Sequence, residues 1–402
     1  AESLGAIAIG WVDEVFIQTQ FTIPFFGLFG LANLLHGQVM YVWYGLMSLC
    51  GLGIMLGYRY KMSMLLFALL WTGAFLVQKE QNHNHFYLIL QLSWLKVFLP
   101  AHRVFSLDVK RKPSMAADTC PQWCYIAIIG LFSCLYFHAT LSKFYSDWLH
   151  AIPVKLWFRA KGHYPIIGSL LRTDWFPWFV SYAGILFDAL IIPALLWRKT
   201  RKLAFIIDVL FHLANAVIFQ IGALPFLMIA FSVLFCSSEK IDQIIGKTKK
   251  HNSIGQTEKP QRIIFILLAL FLGFNLFFPL RHYLIQGNVL ITEEGHRCSW
   301  RLMLRSRAGR IRIWTEESNG EKKILDLSKY LTNDQVFKIA ARPDLFYDFI
   351  QILKRIDPSL INHPIHAEAF IKINGYRTYL PYKNETDFSM VKWNYFGHNS
   401  WI

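Results

Sequence analysis

Apolar residues in this chain gather in blocks of membrane length and are not spread at helical spacing. The blocks fall at about 38–57, 62–78, 85–99, 122–140, 175–197, 203–219, 221–236 and 263–280. A mostly apolar run of roughly 20 residues is what a helix needs to cross a hydrocarbon layer about 30 Å thick. The pattern predicts an all-α polytopic membrane bundle of about eight spans, the seventh a half-span because it is short and carries Pro225 near its start. Residues 1–37 are too broken by polar positions to span, and IPFFGLFGL reads as an interfacial segment or the remainder of a truncated N-terminal one. After residue 282 the composition becomes that of a small soluble α/β domain. NVLITEE, WRLMLRS and RIRIWTEE alternate as strands do, Thr332 to Arg355 reads as one helix, and EAFIKING reads as a last strand. The organisation is therefore 1–37, a transmembrane domain over 38–282, and a soluble domain over 283–402.

Composition agrees with this reading: 54% of the 402 residues are hydrophobic and 17% charged, and the mean hydropathy is +0.33. The formal net charge of +15 points to nucleic acid only if its placement is ignored. The basic residues sit mostly in short loops, as the positive-inside rule requires, and nucleic-acid binding is excluded on that ground. Arg59 and Lys61, Arg103 and Lys110 to Lys112, Arg198 to Lys202, and six residues between Lys240 and Arg262 mark the cytoplasmic loops. The aromatic, amphipathic loop 141–174 then faces outward as a lid on the outer leaflet. Everything after Leu280 lies on the same extracytoplasmic or lumenal side. The six cysteines form no CxxC pair and read as packing residues. The histidines show no HxxxH or HExxH spacing, so no metal site is expected.

Two polar groups meet in this topology. Span four starts near Gln122, so Lys143 lies about 30 Å along it at 1.5 Å per residue, at the outer boundary. Span three runs the other way and begins NHNHFYL, which brings His83 and His85 to the same boundary. An uncharged lysine in an apolar pocket is a general base; the plainer alternative is an anchor paired with Asp147 one turn along. Span six carries Asp208, His212 and Asn215 on one helical face. At that depth such a face looks into the bundle, either toward a ligand or toward Asp188 of span five.

The segments NHFYL (84–88), LSKFYSDW (141–148), FHLANAVIFQIGALPFLMIAFSVLF (211–235) and PLRHYLIQGNVLITEEGHRCSWRLML (279–304) resemble the vitamin K-dependent gamma-carboxylases, whose membrane part is the horizontally transferred transmembrane domain. The likeness runs from about Gly37 to Gly375. It implies a lyase in which a lysine matching Lys143 takes a proton from vitamin K hydroquinone and O2 adds. The oxygenated quinol then removes the γ-proton of a peptide glutamate, CO2 is captured, and the quinol leaves as an epoxide. His85 and Asn84 match family residues thought to steady the developing oxyanion, and His212 matches a further histidine needed for activity. Asn215 and Tyr87 are the remaining candidates for quinone contact. The implied partners are a glutamate-bearing protein or peptide, the quinone and the lipid membrane. Where animal members carry two adjacent lysines this chain has Ser142 and Lys143, leaving one candidate base.

Overall fold

A computed structural model describes residues 2–117, 119–237, 243, 262–317, 321–360, 363–375, 377–383 and 385–402. Eight helices take up the apolar blocks: α1 Val39–Leu56, α2 Tyr60–Val77, α3 Asn84–Phe98, α4 Gln122–Ser142, α5 Trp175–Leu196, α6 Arg201–Phe219, α7 Leu224–Ser232 and α8 Arg262–Phe277. Among the described residues, six helices are long and apolar enough to cross a membrane, all of these except α3 and α7. Helix α3 stops after 15 residues, just ahead of Pro100, because the residue before a proline is pushed out of helical conformation. Helix α7 has Pro225 in its first turn, where a missing N–H does no harm. The basic positions between Lys240 and Arg262, apart from Arg262, lie outside the described residues.

The chain divides into two compact units, Ala1–Glu2 with Phe98–Leu276, and Ser3–Val97 with Phe277–Ile402. In the first unit, α5 packs between α4 and α6, and α6 packs on α7. The rings of Phe132 on α4 and Phe231 on α7 stack at 3.6 Å. The loop after α4 folds into short helices at Ser146–Leu149, Ile152–Ala160 and Gly168–Leu171. Trp148, Val154, Phe158 and Leu171 from this loop are buried together with Ile185 of α5, while Phe144 and Ile166 are exposed.

In the second unit, strands β1 Arg307–Glu316, β2 Lys322–Ile324, β3 Ile365–Ile373 and β4 Arg377–Tyr379 form an antiparallel sheet of order β2-β1-β3-β4. Its central register pairs Arg307 with Ile373 and Thr315 with Ile365. The single helix expected over 332–355 is two, α9 Asn333–Ala341 and α10 Pro343–Ile356. Pro343 breaks it, by removing a backbone donor and restricting Arg342. Thr332 and Gln335 form a reciprocal capping box that starts α9. Helix α10 buries Leu345, Phe346, Phe349, Ile350 and Leu353 against Ile313, Ile365 and Ala369 of the sheet. Phe21 and Ile23 join that core, while Phe26, Leu28 and Leu34 of the same N-terminal segment are exposed. Gly309 in β1 is required: a Cβ there would lie 2.5 Å from the Ala340 carbonyl carbon of α9.

Two expected strands are absent. NVLITEE holds a helical turn at Val289–Thr292, and WRLMLRS is loop up to the start of β1. The charged positions of these two stretches, Glu293, Arg301 and Arg305, are bonded to one another or to His282 and are not the outer face of a sheet.

Glu80 follows α2 and is 1% exposed. It accepts from the Ile23 amide at 2.7 Å and the Gln335 side chain at 3.3 Å. Burial raises its acid from 4.5 to about 7. The folded chain then keeps a proton that the unfolded chain has released, so stability falls as pH rises through that window. Glu80→Gln is expected to raise thermal stability in detergent by roughly 1–3 kcal/mol at pH 8 and hardly at all at pH 5. An equal effect at both pH values would contradict this.

Candidate active site

Lys143 is the C-cap of α4, and its backbone N–H closes the helix on Thr140 at 3.0 Å. Its side chain folds back so that Nζ lies 3.3 Å from the Ala139 carbonyl and 2.5 Å from Oδ2 of Asp188 on α5. Both side chains are 8% exposed. Local spacing points to Asp147 as the partner; the ion pair formed is with Asp188. The ring of Trp148 lies 5.3 Å from Nζ. Trp148 is fixed by a reciprocal pair of bonds, Nε1 to the Ser181 carbonyl at 3.2 Å and Ser181 Oγ to its own carbonyl at 2.7 Å.

Two turns before Lys143 on α4, the Tyr136 hydroxyl lies 3.2 Å from Nε2 of His212. The imidazole is 3.4 Å from Oδ1 of Asp208, whose other oxygen accepts from Ser232 on α7 at 2.5 Å. The polar face expected on α6 therefore looks inward: Asp208 and His212 are buried and Asn215 is half-buried. This chain of bonds joins α4, α6 and α7, while Asp188 answers Lys143.

The other candidates belong to the second unit. In the first turn of α3, Asn84 Nδ2 donates to the Arg301 carbonyl at 3.0 Å. The His85 ring stacks on His83 with centroids 5.4 Å apart and meets Phe86 edge-on at 4.3 Å. Tyr87 packs on Trp300 at 4.8 Å. Trp300 is fully buried and has a left-handed φ of 55°. Glu293, Cys298 and Met303 also have positive φ. Each such non-glycine residue costs of order 1–3 kcal/mol, so this loop is held in shape by its surroundings.

The loop and the start of α3 line a cavity of about 320 Å³. Arg297, Arg301, Arg305, Arg307, Arg342 and Lys338 line it against one carboxylate, Glu293. Glu293 accepts from Arg305 and, at 2.9 Å, from Arg307. Arg297 is taken by Asp344 at 2.5 Å, beside the Lys79 ammonium, which lies 3.2 Å from Asp344 and 2.6 Å from Asp348. The cations still outnumber the acids. Burial, with Arg297 close by, lowers the Arg342 guanidinium to about 10, and burial does the same to Arg307. Burial and then four guanidiniums push His296 well below the usual histidine range, so its imidazole is neutral. Arg307 Nε, His296 Nδ1 and Asn82 Nδ2 are buried with no hydrogen-bond partner among the described residues. A basic, walled cavity with such atoms suits an oxyanion, a carboxylate or a phosphate. Burial raises the Cys298 thiol to about 11, which keeps it protonated. The arginines were missed in the sequence, where Arg297, Arg301 and Arg305 at every fourth residue were the available signal.

Residues 1–239 match the HTTM domain, which fixes the class as a polytopic helical membrane protein. Residues 260–402 match the vitamin K-dependent gamma-carboxylase lumenal domain. The chain belongs to the vitamin K-dependent gamma-carboxylase family, as the motifs of its third, fourth, sixth and last spans led us to expect. No solved structure matches it.

Asp344 holds the arginine wall. Burial opposes its ionisation, but Arg297 and Lys79 outweigh this and keep its carboxyl well below the usual range. Asp344→Asn takes the carboxylate from the half-buried Arg297 and leaves the buried Lys79 with Asp348 alone, and is expected to destabilise the protein by about 3–5 kcal/mol, measured by unfolding in detergent. A loss below about 1 kcal/mol, the size expected of a surface pair, would contradict the assignment.

Proposed function

We propose that this chain carries out vitamin K-dependent gamma-carboxylation of peptide glutamate, coupled to epoxidation of the quinol, on the extracytoplasmic or lumenal side. The observation that carries this reading is Lys143, a buried amine beside the Trp148 ring at the end of a membrane span. The family implies vitamin K hydroquinone, and the surroundings of Lys143 suit it: an apolar ring, Trp148, for a naphthoquinone to lie near, and one amine for its hydroxyl. When bound, the hydroquinone supplies, through its oxidation by O2 to the epoxide, the base that removes the glutamate γ-proton before CO2 is added. Lys143 takes the quinol proton onto Nζ, so the neutral amine hydrogen-bonded to Asp188 is the form that reacts and the ion pair with Asp188 is the form it becomes. The family likeness gives Asn84 and His85 the part of steadying a developing oxyanion. His212 is held by Tyr136 and Asp208 and, with Asn215 of the same helix, lines the quinone path. The arginine cavity grips the glutamate side chain by charge-assisted hydrogen bonds, each worth about 1.5–3 kcal/mol.

Two assays on the purified protein test this: epoxide formation from hydroquinone, and fixation of labelled CO2 into a glutamate peptide. The parent is expected to do both, and Lys143→Ala neither, while remaining folded. Arg342→Gln is expected to raise KM for the peptide by roughly tenfold to a hundredfold, through the lost charged bond, and to leave KM for hydroquinone alone. Epoxide without CO2 fixation would reduce the function to a quinol epoxidase. A fully active Lys143→Ala variant would remove the lysine from the mechanism and favour a membrane scaffold.

A further inference from the structure

A lysine ends in a compact ammonium on a flexible four-carbon stem, and nothing in the side chain itself aims its lone pair. Proton transfer needs that direction fixed closely, because a misplacement of about 1 Å can cost two orders of magnitude in rate. Around Lys143 two acceptors fix it. The Ala139 carbonyl is on its own helix, while Asp188 Oδ2, at 2.5 Å, comes from the interior of α5, a rigid 22-residue element. An amine donating one N–H to each keeps a single direction for its lone pair. The carboxylate also answers the charge that appears when the amine takes a proton in a buried site.

The pair is a poor candidate for mere glue. Buried ion pairs recover little more than the cost of desolvating both partners. The segment after α4 is tied to α5 independently, by the two bonds between Trp148 and Ser181 and by the apolar cluster of Phe158, Leu171 and Ile185. Helix α5 also stacks Phe187 on Phe211 of α6 at 3.8 Å. Helix α5 therefore has its place without the Lys143 bond, and Lys143 has no position without α5.

We propose that Asp188 is the positioning residue of the Lys143 amine: it fixes the direction in which Lys143 accepts a proton and neutralises the ammonium formed. In the step itself the quinol O–H bond breaks, an N–H bond forms on Lys143, and the new ammonium stays paired with the Asp188 carboxylate. This rests on the reading of Lys143 as the base.

The test is epoxide formation by the full chain in detergent, with hydroquinone varied, for the parent, Asp188→Asn, Asp188→Glu and Lys143→Ala. Asp188→Asn is expected to lower kcat by at least about tenfold, the loss of one charge-assisted bond, with KM for hydroquinone little changed. Asp188→Glu, which keeps the charge one methylene farther out, is expected to recover part of that rate. An unchanged kcat in Asp188→Asn would overturn the proposal, as would a Glu variant no better than the Asn variant. Should Asp188→Asn fail to fold, Asp188→Glu decides alone: a lowered kcat at constant KM supports the proposal, and parental kcat overturns it. Lys143→Ala separates the two claims. If it keeps parental activity, the reading of the base fails; if it is inactive while Asp188→Asn is not impaired, only the positioning role fails.

Discussion

A lysine amine cannot rest in hydrocarbon without an answering group, and this protein supplies one from the middle of a neighbouring membrane helix. The contact between Lys143 and Asp188 constrains much else in its unit. It aims the amine at the end of α4 toward the interior of α5, where the Trp148 ring lies 5.3 Å from Nζ. Next to it, the run from Tyr136 through His212 and Asp208 to Ser232 satisfies the remaining polar groups of α4, α6 and α7. Each group costs several kcal/mol if left unpaired at that depth, so the polar stripe and the order of these helices depend on each other.

The second unit answers a different electrostatic problem. Its loop at 293–303 is bent through left-handed conformations that non-glycine residues avoid, and the bends bring guanidiniums together around a cavity. Such crowding of like charge is tolerable because Asp344 pairs with Arg297 and Glu293 with Arg305 and Arg307. What remains is a surplus of donors facing open volume, an arrangement that suits an oxyanion such as a carboxylate.

The membrane helices were legible in the sequence because length and hydrophobicity are local properties. Helices α1, α2, α4, α5, α6 and α8 stand where the apolar blocks predict them. The inward face of Asp208 and His212 was equally plain from helical spacing. What was not legible depends on distant partners. Asp147 is one turn from Lys143 and Asp188 is 45 residues away, and no spacing rule ranks a tertiary neighbour over a local one. The stretch 288–306 alternates like a strand, but its charged positions are occupied by contacts within a loop, so the pattern was real and its cause was different. The break at Pro343 was visible in the sequence, and the apolar stripe running through it hid the consequence.

Lys143 as the group on which the quinol docks is the claim that photolabelling tests most directly, using a naphthoquinone that carries a photoreactive group, followed by peptide mapping. Label is expected on the segment around Lys143 and is expected to be lost when excess vitamin K hydroquinone is added. Label absent from that segment, or spread over lipid-facing helices and indifferent to competitor, would contradict it.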